Sequence, residues 1–280
     1  MRIGISAESV DIMKMTIIGC GSIGKTLARF LESMDEVEMV HVFDTKKEAV
    51  EALMLECPKV RYATNLEDAF ENSDLIVETA SQAAVLEYVP KALEMGKNVL
   101  VMSVGAFVED DFKEKCRILA KQKGCKVYIP SGAVCGIEGI CAAAISEVDE
   151  VIIMSYKPVE AFRDVKYLKN KGIDLDSIKR PKVIFNGHAK DAVRYFPKNI
   201  NVAATLSLAG IGIERTVVKI VIDPKATRNT HRIIAKGKFG EIECWTRNMP
   251  FPENPRTSYL AALSLISAVK KIAGSFWVGV

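Results

Sequence analysis

From Met15 to Pro130 the chain alternates short runs of Ile, Val and Leu with longer segments whose apolar residues recur every three or four positions. The short runs read as strands: MTIIG (15–19), VEMVHVF (37–43), SDLIVET (73–79), NVLVM (98–102) and KVYIP (126–130). The longer segments, 22–34, 47–56, 83–96 and 109–124, have helical period and composition. Buried strands that alternate with helices imply crossover units and a parallel sheet covered on both faces. Right-handed crossovers then wind the helices onto the two faces in turn.

The rhythm changes after Pro130. A Gly- and Ala-rich stretch (131–146) leads into the strand-like EVIIMSYKP (150–158), a Lys- and Asp-rich loop (163–180) and KVIFNGH (182–188). NINVAATLSLAG (199–210) reads as a helix stopped by Gly210 and Gly212. Three β-type runs follow, RTVVKIVID (215–223), HRIIAKG (231–237) and EIECWTR (241–247), and then a strongly apolar helix, 258–274. Strands gathered together with few helices between them predict a mostly antiparallel sheet of the α+β kind.

Gly19-Cys20-Gly21-Ser22-Ile23-Gly24 follows the first predicted strand and opens the first predicted helix. In that context the first glycine permits a tight turn, the second admits a pyrophosphate, and the third lets helix and strand pack closely. Amides at the helix start then meet the phosphates. Asp44 stands 20 residues past Gly24, where a carboxylate bonds the ribose hydroxyls of NAD. Lys46 and Lys47, just beyond, leave NADP open as well, since they either soften the repulsion of a 2′-phosphate or form a solvated helical turn.

The fold expected is α/β: an N-terminal Rossmann doubly wound parallel sheet with a second α+β domain of mostly antiparallel strands. The boundaries expected are 13–130 for dinucleotide binding and 131–257 for substrate and catalysis. The closing segment 258–280 either packs back on the first domain or builds a subunit interface. With no internal repeat and no low-complexity linker, the halves are expected to share a cleft. Residues 1–12 precede the first convincing strand and read as an extension outside the core.

Composition narrows the class. The chain has 280 residues, 49% of them hydrophobic, a charged fraction of 26% and a formal net charge of +3 without any block of like charges. A nucleic-acid partner needs a concentrated basic stripe, so none is expected. No apolar run approaches the roughly 20 residues of a spanning helix, and the N-terminus lacks an apolar targeting core, so neither membrane nor export is expected. Seven cysteines, odd in number and never spaced CxxC, suggest reduced thiols in the cytoplasm and no metal site.

A nicotinamide would supply the redox chemistry, leaving the protein to orient the substrate and manage protons. Three histidines are candidates for the proton work. His41 sits inside a predicted strand and His188 at the end of one, whereas His231 opens a strand in the second half, where an imidazole can face a cleft. Asn199 or Asn201 caps the helix they precede, or that helix end attracts an anion. Arg256 is a candidate for gripping a substrate carboxylate, and Cys135 invites a thiol-nucleophile reading that would need an electropositive setting.

Several strings together resemble the L-aspartate dehydrogenase family. They are Gly19–Gly24, Pro130-Ser131-Gly132-Ala133, YFPKNINVAATLSLAG (195–210), Asp223-Pro224 followed by Asn229-Thr230-His231, and Asn254-Pro255-Arg256-Thr257-Ser258. The resemblance covers nearly the whole chain from Met15. It implies oxidative deamination of L-aspartate with NAD or NADP, giving iminoaspartate that hydrolyses to oxaloacetate and ammonia or feeds pyridine-nucleotide biosynthesis. It implies a homodimer, His231 as the acid–base group, and cofactor contacts at Ala133 and Asn201, alongside Gly19, Gly21, Ser22, Ile23, Gly24 and Asp44. Asn229 and Arg256 are the substrate-binding candidates. Cys135 departs from the pattern, where a small residue is expected. Rival readings are a dihydrodipicolinate-reductase-like or homoserine-dehydrogenase-like enzyme, and a non-catalytic NAD-sensing protein.

Overall fold

A computed structural model describes residues 12–196, 201–251 and 254–279, except for the side chains of Pro255 and Arg256. The first half holds strands β1 (Met13–Ile18), β2 (Val37–Phe43), β3 (Val60–Tyr62), β4 (Leu75–Glu78), β5 (Asn98–Val101) and β6 (Val127–Tyr128). Between them run helices α1 (Ser22–Leu31), α2 (Lys47–Glu56), α3 (Leu66–Glu71), α4 (Gln82–Glu94) and α5 (Asp110–Lys123), with a 3-10 turn at Val104–Val108. All the strand pairings are parallel, in the order β3-β2-β1-β4-β5-β6. The order reverses between β1 and β4, which opens a crevice at the carboxyl ends of those strands, where ligands of such sheets bind.

Local sequence explains these elements. β4 (LIVE) is buried throughout, as a strand covered on both faces must be. α1 buries Gly24, Leu27, Ala28 and Leu31, an i, i+3, i+4, i+7 stripe turned to the sheet. α5 starts with Asp110 and Asp111, ends with Lys121 and Lys123, and stops at left-handed Gly124, so charges and cap agree with its dipole.

The second half contains α6 (Ile137–Ala143), β7 (Val148–Lys157), α7 (Lys166–Asn170), β8 (Lys182–His188), α8 (Ala189–Tyr195) and α9 (Asn201–Ala209). It continues with β9 (Val217–Ile222), β10 (Asn229–Gly237), β11 (Gly240–Asn248), the short pair β12 (Pro250–Phe251) and β13 (Asn254–Ser258), and α10 (Tyr259–Ala273). The main sheet runs β11-β10-β7-β9-β8. Its pairings are antiparallel except β7 with β9, which is parallel.

α6, α8 and α9 help cover the inner face of this sheet, where Ile140, Ala192 and Leu206 join Val151, Ile153 and Ile233 in one core. α9 also reaches the first half, placing Ala204 against Val104 and Val108 of the 3-10 turn. α10 joins the first sheet's core: Ala261, Leu265, Ile266 and Val269 pack with Met15, Ile17 and Val40. Among the described residues no helix is long and apolar enough to cross a membrane.

Candidate active site

The glycine turn forms one wall of a cleft between the halves. Gly19 has φ +103°, a conformation that side chains resist, and a Cβ there would come within 2.8 Å of Ala80 Cβ. A Cβ at Gly24 would overlap the Gly19 carbonyl oxygen, so α1 sits on the strand end only because that position is bare. α1 opens after Gly21 with no side-chain cap, and nothing lies within 4 Å of a Cβ position on Gly21. Unpartnered first-turn amides beside open space make an anion cradle. Asp44, just past β2, accepts from Cys20 N at 2.7 Å and Lys46 N at 2.8 Å. These two amides hold its carboxylate beside the turn. Cradle and carboxylate fit the pyrophosphate and ribose of a dinucleotide.

The floor is tied together by a buried carboxylate. Glu78, at the end of β4, accepts from Ala80 N (2.7 Å), Ser103 N (2.9 Å) and Ser103 Oγ (2.8 Å). Burial pushes its pKa up, and the hydrogen bonds from Ser103 and Ala80 oppose that shift. The loops after β4 and β5 are thereby joined where both line the cleft. Asn201, the first residue of α9, accepts from Gly105 N at 3.1 Å. Its side-chain oxygen thus ties α9 to the 3-10 turn. The Ala133 carbonyl accepts from Asn248 Nδ2 at 2.8 Å and Thr246 Oγ1 at 3.2 Å, which fixes the 131–136 loop on β11.

The opposite wall is the end of the second sheet. β7 and β10 pair with Ser155 opposite His231, and Ser155 Oγ lies 2.9 Å from His231 Nδ1. His231 is 3% exposed. Burial, with the nearby Lys157 charge adding, lowers its pKa to about 3, so the imidazole is neutral at physiological pH. Lys157 ends β7 and is 8% exposed, and burial lowers its pKa to about 8. Asn229 is buried on the same wall. The cleft between these walls measures about 360 Å³, within the range of small-molecule sites.

Among the residues singled out from sequence, Gly21, Ser22, Ile23, Ala133, Asn201, Asn229 and His231 line this cleft together. Gly19 and Gly24 shape the turn from beneath, and Asp44 flanks it. Arg256 lies on β13, but its side chain is outside the described residues, as is Asn199. Cys135 is exposed, with its thiol toward the Trp245 carbonyl at 3.9 Å, and does not line the cleft. His41 is packed within the first sheet, where burial lowers its pKa, and His188 stands at the junction of β8 and α8. Among the described residues no group of three or more His, Cys, Asp or Glu side chains is arranged to hold a metal ion.

Sequence reasoning missed Lys157, Ser155 and Glu78. Each carried a signal. In EVIIMSYKP the positions Val151, Ile153, Ser155 and Lys157 share one face, so a buried apolar stripe ends in a hydroxyl and an ammonium. Glu78 closes a four-residue run that is otherwise wholly apolar.

Two family models match the chain, one in each half. Residues 138–272 match the family described as aspartate dehydrogenase, C-terminal. Residues 19–130 match the family described as homoserine dehydrogenase, NAD binding domain. The L-aspartate dehydrogenase of Methanosarcina barkeri is 42% identical over 272 residues, covering 96% of this chain and 100% of the relative. That of Cupriavidus necator is 39% identical over 264 residues, covering 92% of this chain and 97% of the relative. The crystal structure of aspartate dehydrogenase from Thermotoga maritima superimposes with a TM-score of 0.75 at 27% identity, covering 95% of this chain and 99% of that one.

Proposed function

The chain belongs to the L-aspartate dehydrogenase family, and on that premise we propose that it oxidatively deaminates L-aspartate with NAD or NADP. The observation that carries this reading is a buried, neutral imidazole facing a glycine-turn cradle across one cleft. The substrate half matches aspartate dehydrogenases, which favours this reaction over the homoserine chemistry named for the match of the first half.

A nicotinamide bound in this cleft would supply the hydride acceptor. The chain's own residues do the rest. The Gly21–Gly24 turn and Asp44 would hold the dinucleotide, with the Ala133 backbone and Asn201 as further contacts to it. His231 takes the proton from the substrate ammonium, because only a neutral amine has a lone pair to form the imine as Cα–H leaves. Ser155 Oγ and Nδ1 are hydrogen-bonded, and in the tautomer that carries its proton on Nδ1 the Nε2 lone pair remains for the substrate proton. Iminoaspartate is the immediate product, and water converts it to oxaloacetate and ammonia. Asn229 serves as a polar contact for the substrate, with Arg256 as a second. The working enzyme is a homodimer of the cytoplasm. The division at residue 130 separates a dinucleotide half from a substrate half.

Purified protein mixed with L-aspartate and either dinucleotide should generate the absorbance of the reduced cofactor. Absence of reduction with both dinucleotides across pH 7–10, while NAD still binds, would sink the reading in favour of a sensor.

A further inference from the structure

Lys157 is the charged group on the substrate wall for which the reaction as described has no use. It ends β7, and its carbonyl accepts from Asp223 N at 2.9 Å, which fixes the strand end. The β7–β10 register runs Ile153↔Ile233, Ser155↔His231 and Tyr156↔Thr230, so its next step brings Lys157 level with Asn229. Four polar side chains thus close a face that is apolar further in, where Val151, Ile153, Ile233 and Ala235 are buried. All four are themselves buried, and Lys157, Asn229 and His231 line the cleft.

Among the described residues that line the cleft there is no Asp or Glu, and Lys157 is the one Lys or Arg. An ammonium on the wall of a substrate cleft is a charged hydrogen-bond donor suited to an anionic group of the ligand. A ligand entering between the walls therefore meets the Lys157 ammonium on the same surface as the proton acceptor. The dinucleotide phosphates belong on the opposite wall, at the α1 start.

We infer that Lys157 is the carboxylate anchor of the amino-acid substrate, holding it so that its amine lies beside His231. This rests on the dehydrogenase reading above and deepens it to a substrate class: amino acids presented with an anionic group to the end of β7. The ion pair does two things. It orients the substrate, and it offsets the cationic field that Lys157 otherwise exerts on His231, so the imidazole gains proton affinity when substrate arrives.

The test is Lys157→Met, which keeps length and removes charge, paired with Lys157→Arg. Kinetics with L-aspartate should show KM raised about 10- to 150-fold in Lys157→Met, the range for losing a hydrogen bond to a charged group. The fall in kcat should be smaller, and the Kd for NAD, read by fluorescence titration, should stay within twofold. Lys157→Arg should restore part of the affinity. Succinate, a dicarboxylate without an amine, supplies a readout without turnover. It should bind the wild-type NAD complex and lose affinity in Lys157→Met by a similar factor. Thermal melting checks that Lys157→Met is folded. A KM and succinate affinity within twofold of wild type, or a loss confined to kcat, would overturn the anchor. A wild type that ignores L-aspartate yet binds succinate through Lys157 would instead overturn the aspartate reading and leave the anchor in place.

Discussion

The first sheet presents its ligand wall mainly as backbone, whereas the second sheet presents side chains. On the first wall the features that matter are a bare Gly24 against the Gly19 carbonyl, uncapped amides at the start of α1, and an Asp44 carboxylate held by two amides. On the second they are an imidazole, an ammonium, an amide and a hydroxyl on neighbouring strands, all buried. Backbone cradles recognise a phosphate-bearing molecule common to many reactions. Inward side chains recognise one substrate and move its proton. The difference teaches where tolerance to change should lie: the first wall fails by crowding, the second by loss of a functional group.

That contrast can be pressed hardest at His231. His231→Ala should lower kcat about 100- to 10,000-fold, the range for general acid–base catalysis, while the Kd for NAD stays within twofold. Near-normal turnover would remove the second wall's claim to the chemistry. Acidity is the next lever. The folded-state pKa of His231 lies near 3, below the unfolded value near 6.5, so between those pH values the unfolded chain binds the extra proton. Stability should therefore fall as pH drops below 6.5, by up to about 1.4 kcal/mol per pH unit from this group. Denaturant unfolding of wild type and His231→Asn at pH 7 and pH 5 checks this, and the difference between them should shrink at the lower pH.

On the first wall, Gly24→Ala should cost about 1–3 kcal/mol of stability by overpacking and weaken NAD binding, read by melting and by titration. Succinate affinity should change less than NAD affinity; the reverse order would break the division between walls. The smallest effect is expected at Ser155→Ala. One hydrogen bond to His231 Nδ1 is lost, about 1 kcal/mol or roughly fivefold in kcat/KM, measured by steady-state kinetics.

How far each wall was legible in the sequence follows from the same contrast. A glycine spacing, a strand before it and an Asp after it are contiguous in the chain, so the first wall could be read in order. β3 and α3 escaped because three residues (Val60–Tyr62) and six (Leu66–Glu71) are too short for a period to declare itself. In the second half the strands were visible as β-type runs, and a mostly antiparallel sheet follows from their clustering. Their spatial order was not visible: β7 lies between β10 and β9, partners more than sixty residues away in the chain. Only that order sets Ser155 and Lys157 against His231 and Asn229, and no local pattern encodes it. His231 stood out through a family-like string, whereas Lys157 resembled one more surface lysine.

The closing helix has a consequence for how the molecule is made. Tyr259–Ala273 supplies Ala261, Leu265, Ile266 and Val269 to the apolar face around Met15 and Val40. A nascent chain that has exposed its first six strands on the ribosome still lacks this lid and keeps greasy surface open until synthesis is nearly finished. Premature termination before Tyr259 therefore damages the oldest part of the chain, not the newest.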